Sequence, residues 1–294
     1  MSNSFIADKP SIVEQAAPIL RQVPILPMRF HLRKGAEPAT APMLRGVWGR
    51  ALHDLDINVY QEVFHPQGHR VLPGYIVRPA PPDLDAAPAV EFILVGKATK
   101  YRDIALRAWD IASGMGIGKQ REPFFIKDRI RLNSLGDLDC DLSPWSLDES
   151  VQHFPHGLES QPCCLNFTSP LSLSRNKRLL TEPSLVDIVI KGCRRIGGFL
   201  PREFVGQWNQ VKAGIVDAAK QITTSGWRGR RVDLKRYSGT QKNEFEVFGV
   251  MGQITLPDGP GDVLPLLAAL EWLHLGKSTN VGLGQLVIDA KRIA

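Results

Sequence analysis

The side chains best suited to chemistry begin near the N-terminus. Arg29, His31 and Arg33 are spaced two apart, and Arg45, Arg50 and His53 follow shortly after. An imidazole titrates near neutrality and can take a proton from a hydroxyl. Guanidinium groups stay charged and stabilise negative charge that develops on a phosphate. Arg45, Gly49 and His53 are four apart in succession, so on a helix Arg45 and His53 share similar faces. The fitting chemistry is deprotonation of a ribose hydroxyl beside a bound phosphate. His53 would be the base, and Arg29 and Arg45 would stabilise charge. A helix histidine can equally be structural, and an arginine-centred site of Arg29, Arg45 and Arg231 or Arg236 is the rival arrangement. Such a site lacks a good base and would act by electrostatics and geometry.

A second cluster is denser. Trp227, Arg228, Arg230, Arg231, Lys235 and Arg236 fall in one ten-residue run with five cations. Arginine forks match phosphate oxygens, and an indole can stack on a base. Strand alternation puts Arg228 and Arg230 on one face and Arg231 and Lys235 on the other. With Arg33 and Arg50 these residues make an expected RNA-binding set. The plainer reading is a solvated edge hairpin whose charges deter aggregation.

The third feature is the loop Gly276, Lys277, Ser278, Thr279, Asn280, Val281, Gly282, Leu283, Gly284. Glycine tolerates positive φ and close backbone approach, so the loop suits a phosphate. Gly276, Lys277, Ser278, Gly282 and Gly284 are therefore expected RNA contacts. The loop is not a nucleotide-binding P-loop. Residue 271 is Glu where that motif needs glycine, and the order here is helix then strand rather than the reverse. The glycines could also serve only a tight helix-to-strand turn.

Other chemistries find no support. No H-E-x-x-H, G-x-S-x-G or convincing carboxylate pair occurs, and no metal or cofactor is expected. Asp137, Asp139 and Asp141 mimic half a calcium loop, but Leu142 stands where glycine is needed. Cys140, Cys163, Cys164 and Cys193 have neither zinc nor disulfide spacing, which points to reduced thiols in the cytoplasm. No apolar run reaches membrane-spanning length, and no secretory signal is visible. A formal charge of +6 permits a nucleic-acid partner.

Stepping along the chain, 23–33 reads as a strand, 42–55 as a helix, 71–77 and 89–95 as strands, 101–113 as a helix and 124–132 as a strand. Residues 134–162 hold six acidic residues and no Lys or Arg. They read as an insertion or linker that projects from the RNA face. The order then repeats: strand 163–173, helix 184–196, an added helix 203–222, strands 229–237 and 245–254, helix 263–275 and strand 284–289. The expectation is an α+β chain of two tandem ferredoxin-like βαββαβ domains, 20–133 and 163–294. Residues 1–20 show no core pattern and read as a docking or poorly ordered arm.

Several segments resemble one family. They are Arg236-Tyr237-Ser238 with Gln241, Gly249 and Gly252, Leu264-Pro265-Leu266-Leu267, and His274-Leu275-Gly276-Lys277-Ser278-Thr279 with Val281-Gly282-Leu283-Gly284. Leu165-Asn166-Phe167-Thr168-Ser169-Pro170-Leu171 and Arg45-Gly46-Val47-Trp48-Gly49-Arg50-Ala51-Leu52 join them. This pattern resembles the CRISPR-associated repeat-processing endoribonucleases of the RAMP superfamily. The resemblance implies two ferredoxin-like domains and metal-independent cleavage of precursor CRISPR RNA within its repeats. A 2′-hydroxyl attacks the adjacent phosphate, leaving a 2′,3′-cyclic phosphate and a 5′-hydroxyl. It also implies a stem-loop repeat RNA as partner, retention of the product, and assembly with other subunits of an effector complex. A non-catalytic RNA-binding subunit is the alternative, because this fold serves both roles.

Overall fold

The computed structural model describes residues 10–33, 39–67, 72–80, 88–118, 120–238 and 243–290; along 234–238 and 243–247 it is the backbone that is described. In chain order the elements are α1 (Ile12–Leu20), β1 (Pro24–Leu32), α2 (Ala41–Leu55), α3 (Ile57–Val59), β2 (Tyr75–Pro79), β3 (Ala89–Val95), α4 (Arg102–Met115), β4 (Ile126–Leu132), β5 (Leu138–Asp139) and β6 (Trp145–Ser146). They continue with β7 (Cys163–Leu171), the short β8 (Ser174–Arg175) and β9 (Arg178–Leu179), α5 (Leu185–Gly197), α6 (Val205–Gln221), β10 (Trp227–Ser238), β11 (Asn243–Leu256), α7 (Leu264–Leu273) and β12 (Leu286–Asp289).

The two sheets have the same plan. The first runs β2-β3-β1-β4 and adds β5 beyond β4, while the second runs β10-β11-β7-β12. Each is an antiparallel βαββαβ sheet with the first and third strands at its centre. The expected duplicated ferredoxin-like, α+β architecture is therefore present.

In β1 the alternation separates two faces. Leu26, Met28 and Phe30 join Tyr75, Phe92 and Leu94 against Trp48 of α2 and Trp109 of α4. Ile25, Ile76, Ile93 and Val95 point the other way and enter a core that includes Leu270, Trp272 and Leu273 of α7. The first sheet is thus buried on both faces near its middle, once by its own helices and once by the second domain.

Two stretches contribute more than their sequence suggested. Within 1–20, Ile12–Leu20 is a helix opened by a capping box between Ser11 and Glu14, and Ala16, Ile19 and Leu20 are buried. The acidic stretch 134–162 supplies β5, which pairs with β4, and β6, which pairs with β1. Its Trp145 meets Trp272 edge-on at 5.4 Å, and Leu147 and Leu158 are fully buried. Acidic residues set the composition of this stretch, but its apolar residues set its location.

Candidate active site

The glycine-rich loop lies against the edge strand of the first sheet. Residues 274–284 pass along β2 and touch both of its faces. On one face Asn280 Nδ2 donates to the Tyr75 hydroxyl at 3.2 Å. On the other, Arg78 Nη1 donates to the carbonyl of Glu271 at 2.9 Å and to His274 Nε2 at 3.1 Å. His274 donates from Nδ1 to the Leu283 carbonyl at 3.1 Å, so its ring is neutral and closes the loop on itself. Burial and the neighbouring Arg78 hold its pKa well below the ordinary value. The residue sits at φ +58°, an unusual conformation for a non-glycine, held by these two hydrogen bonds.

The glycines answer to the protein's own backbone. A Cβ on Gly284 would collide with the Leu275 carbonyl, and one on Gly276 would come within 2.7 Å of the Ser172 carbonyl. Gly282 faces Arg78 and Val77 of β2, where a Cβ would stand 3.2 Å away. All three have positive φ. Gly282 and Gly284 are buried, whereas Lys277 is exposed and Ser278 half-buried, so the loop's accessible part is its Lys277–Ser278 shoulder.

Arg45 reaches this loop. Its Nε donates to the Tyr75 hydroxyl at 2.8 Å, the same oxygen that receives Asn280. Burial raises the Tyr75 pKa to about 12, so the phenol stays neutral. The Arg45 guanidinium also lies over the Phe64 ring, 4.4 Å from its centre. Phe64 stacks on Tyr60 at 4.9 Å, and His53 meets Tyr60 edge-on at 5.1 Å. Arg45 and His53 are therefore the two ends of one aromatic ladder along α2. Gly49 lies beneath the Phe64 ring and leaves no room for a Cβ. His53 is half-exposed and 3.0 Å from Asp54, which also accepts from Arg50 Nε at 2.7 Å.

Arg29 is elsewhere. It lies on the opposite face of the first sheet from α2, where its Nη2 donates to Glu91 at 2.9 Å. Glu91 is 1% exposed and also accepts from Arg78 Nε at 2.5 Å. Arg29, Glu91, Arg78 and His274 thus form a continuous polar line into the loop. The sheet divides the N-terminal constellation: Arg29, His31 and Arg33 are on one side, and Arg45, Arg50 and His53 on the other. Sequence spacing could not reveal that division, because it depends on which face α2 covers.

The basic strand β10 is at the far edge of the second sheet from β12, which follows the glycine loop. The β10–β11 hairpin extends beyond the Leu171 end of β7, the end where Ser172 meets Gly276. Loop and hairpin therefore emerge at one end of the sheet but on opposite edges. Arg228 and Arg230 are exposed on the face away from the core; Arg231 is on the other, paired with Asp233 at 3.0 Å and lying over Phe248. Trp227 is half-buried against Gly229 and Gly252 and packs near Phe167 at 6.0 Å, so its ring is used within the sheet. The side chains of Lys235 and Arg236, with Gln241 and His69, lie outside the described residues.

Residues 165–286 match the family of CRISPR-associated endoribonuclease Cas6. That segment, within the second domain, is similar to Cas6. The similarity in sequence is thus to a CRISPR-associated endoribonuclease, and it lies in the second domain. A Thermus thermophilus Cas6 (TTHB231), solved as a product complex, shares the fold with a TM-score of 0.58 at 14% identity, covering 90% of this chain and 99% of its own. A Cas6 (TTHA0078) substrate mimic complex gives a TM-score of 0.55 at 16% identity, over 91% of this chain and all of the other (100%). The Cas6 likeness in fold thus extends well beyond the matched segment. No curated protein matches the sequence. Among the described residues, no helix is long and apolar enough to cross a membrane, and no three His, Cys, Asp or Glu side chains converge as ligands to a metal.

Proposed function

We propose that this chain cuts precursor CRISPR RNA within each repeat, without a metal, and keeps the product. The 2′-hydroxyl attacks the adjacent phosphate and the 5′-oxygen departs, giving a 2′,3′-cyclic phosphate and a 5′-hydroxyl. The nucleophile belongs to the RNA, so the protein must orient it, accept its proton and stabilise the phosphorane. The observation carrying this reading is the junction of Arg45 with Asn280 at the Tyr75 hydroxyl, which sets a cation beside the glycine-rich loop. In this reading Arg45 and Arg29 stabilise charge and His53 is a base. Arg33, Arg50, Trp227, Arg228, Arg230, Arg231, Lys235, Arg236, Gly276, Lys277, Ser278, Gly282 and Gly284 form the RNA-binding set. The RNA is a stem-loop repeat and the setting cytoplasmic. The protein divides at 20–133, 134–162 and 163–294, the acidic segment projects from the RNA face, and other subunits of an effector complex are further partners.

A second reading, a non-catalytic RNA-binding subunit, is favoured by the pairing of Arg29 with Glu91 and of His53 with Asp54. Incubating the protein with its cognate repeat RNA in EDTA separates the two. Cleavage to a cyclic-phosphate product, lost in Arg45→Ala with binding retained, supports the enzyme. Tight binding without cleavage by the wild type favours the subunit.

A further inference from the structure

We propose that the β8–β9 hairpin and the neighbouring side of α5 form a binding site for the phosphate backbone of the base-paired stem of the repeat. The proposal rests on the reading of repeat RNA as the ligand. The stretch 172–195 carries six Lys or Arg residues against Glu182 and Asp187. Arg175 and Arg178 stand directly opposite each other across β8 and β9, with Lys177 in the turn between them. Lys191 of α5 donates to the Ser174 carbonyl at 2.7 Å, and Arg194, one helical turn on, is exposed.

This arrangement works against the hairpin's own folding. Like charges directly opposite in a ladder repel. Arg175 is paired with Asp187, but among the described residues Lys177, Arg178 and Arg194 have no carboxylate partner. Asn176 and Lys177 form a two-residue turn with φ of 51° and 63°. Such turns favour glycine at the second position, and lysine there is strained. Burial, and then Arg194 and Arg175, hold the Lys191 pKa below its ordinary value. Local choices that oppose the fold are a mark of function, and a polyanion would relieve the repulsion.

The surface suits a duplex. Residues 172–195 include no Phe, Tyr or Trp, and none of the large exposed apolar side chains among the described residues lies there. Single strands are held on aromatic platforms, and protein interfaces have apolar centres. Cations alone fit the backbone of a paired stem, which is recognised by shape and phosphate contacts. The site also adjoins the proposed one. The Ser172 carbonyl, just before the hairpin, accepts from the Lys277 backbone at 3.2 Å, and Lys277 is three residues from Asn280. The cations thus continue from the Arg45–Tyr75–Asn280 junction past the accessible shoulder of the glycine-rich loop. A stem held there leaves its unpaired flank at the junction.

The test is the affinity of the full chain for stem-loop repeat RNA over a salt series. It is run beside the same RNA with its stem unpaired by substitution, and with pairing restored by compensating changes. Combined Lys177→Gly, Arg178→Thr and Arg194→Gln should lower the slope of log affinity against log salt by about 2.7 on both paired RNAs. On the unpaired RNA the difference should vanish. Without RNA the variant should melt at or above the wild-type temperature, because it loses the like-charge pair and relaxes the turn. An unchanged slope on stem-loop RNA that the wild type binds overturns the site and leaves the endoribonuclease reading intact. An equal change on the unpaired RNA overturns the assignment to the stem, and weaker binding that tracks a lower melting temperature overturns the site as well. A wild type that binds no repeat RNA overturns both readings.

Discussion

Arg78 Nη1 lies 3.1 Å from His274 Nε2, and this hydrogen bond joins the edge strand of one domain to the loop of the other. It requires a neutral imidazole. The unfolded chain takes up a proton near pH 6.5, whereas the folded chain refuses it until far lower pH. Stability should therefore be flat above pH 6.5 on this account and fall as pH drops below it, by up to about 1.4 kcal/mol per pH unit. Chemical denaturation at pH 7.5 and pH 5 should show a smaller decrease for His274→Gln than for wild type. Equal decreases would mean that His274 is protonated in the fold.

The loop glycines should differ sharply from the exposed helix glycine of the Arg45–Leu52 motif. Gly284→Ala combines φ +69° with a collision against Leu275 and should cost ~3 kcal/mol or more. Gly46→Ala meets nothing within 4 Å in the middle of α2 and should stabilise by about 0.5–1 kcal/mol. Thermal melts of both variants check this, and a mild Gly284→Ala would show that the loop has room to move.

Glu91 serves two guanidinium groups from a fully buried position. Glu91→Ala should cost about 3–5 kcal/mol, because Arg78 is left buried without its carboxylate. Asp54→Ala, which removes an exposed partner of Arg50, should leave the denaturation midpoint unchanged. A neutral Glu91→Ala would show that the polar line contributes nothing to holding the domains together.

Arg228 and Arg230 share an exposed face and have the geometry of backbone contacts. If both touch single-stranded phosphates, the double alanine variant should lower the slope of log affinity against log salt by about 1.4. An unchanged slope would assign them to protection of the sheet edge instead.

Much of this arrangement was legible from residue spacing. Alternation in β1 gave Arg29, His31 and Arg33 one face, and the repeated strand–helix order gave both sheets. Pairing was not legible. Asp128 meets His31 only through the β1–β4 register, which a bulge after His31 shifts. Tyr75 joins Arg45 to Asn280 across two domains, and no local pattern announces a contact between residues so distant in sequence. Helix α1 did have a local signal, Ser11 and Glu14 as a capping box, but Pro18 inside it obscured the pattern.

The capping of β2 by residues 274–284 has a consequence for biosynthesis. The strand is complete once residue 79 has been made, yet its cover comes from the last part of the chain. On the ribosome the first sheet therefore spends most of translation with one bare edge. A polypeptide truncated before residue 274 would keep that edge open to pairing with a second copy, so premature termination should yield aggregates rather than a smaller folded domain.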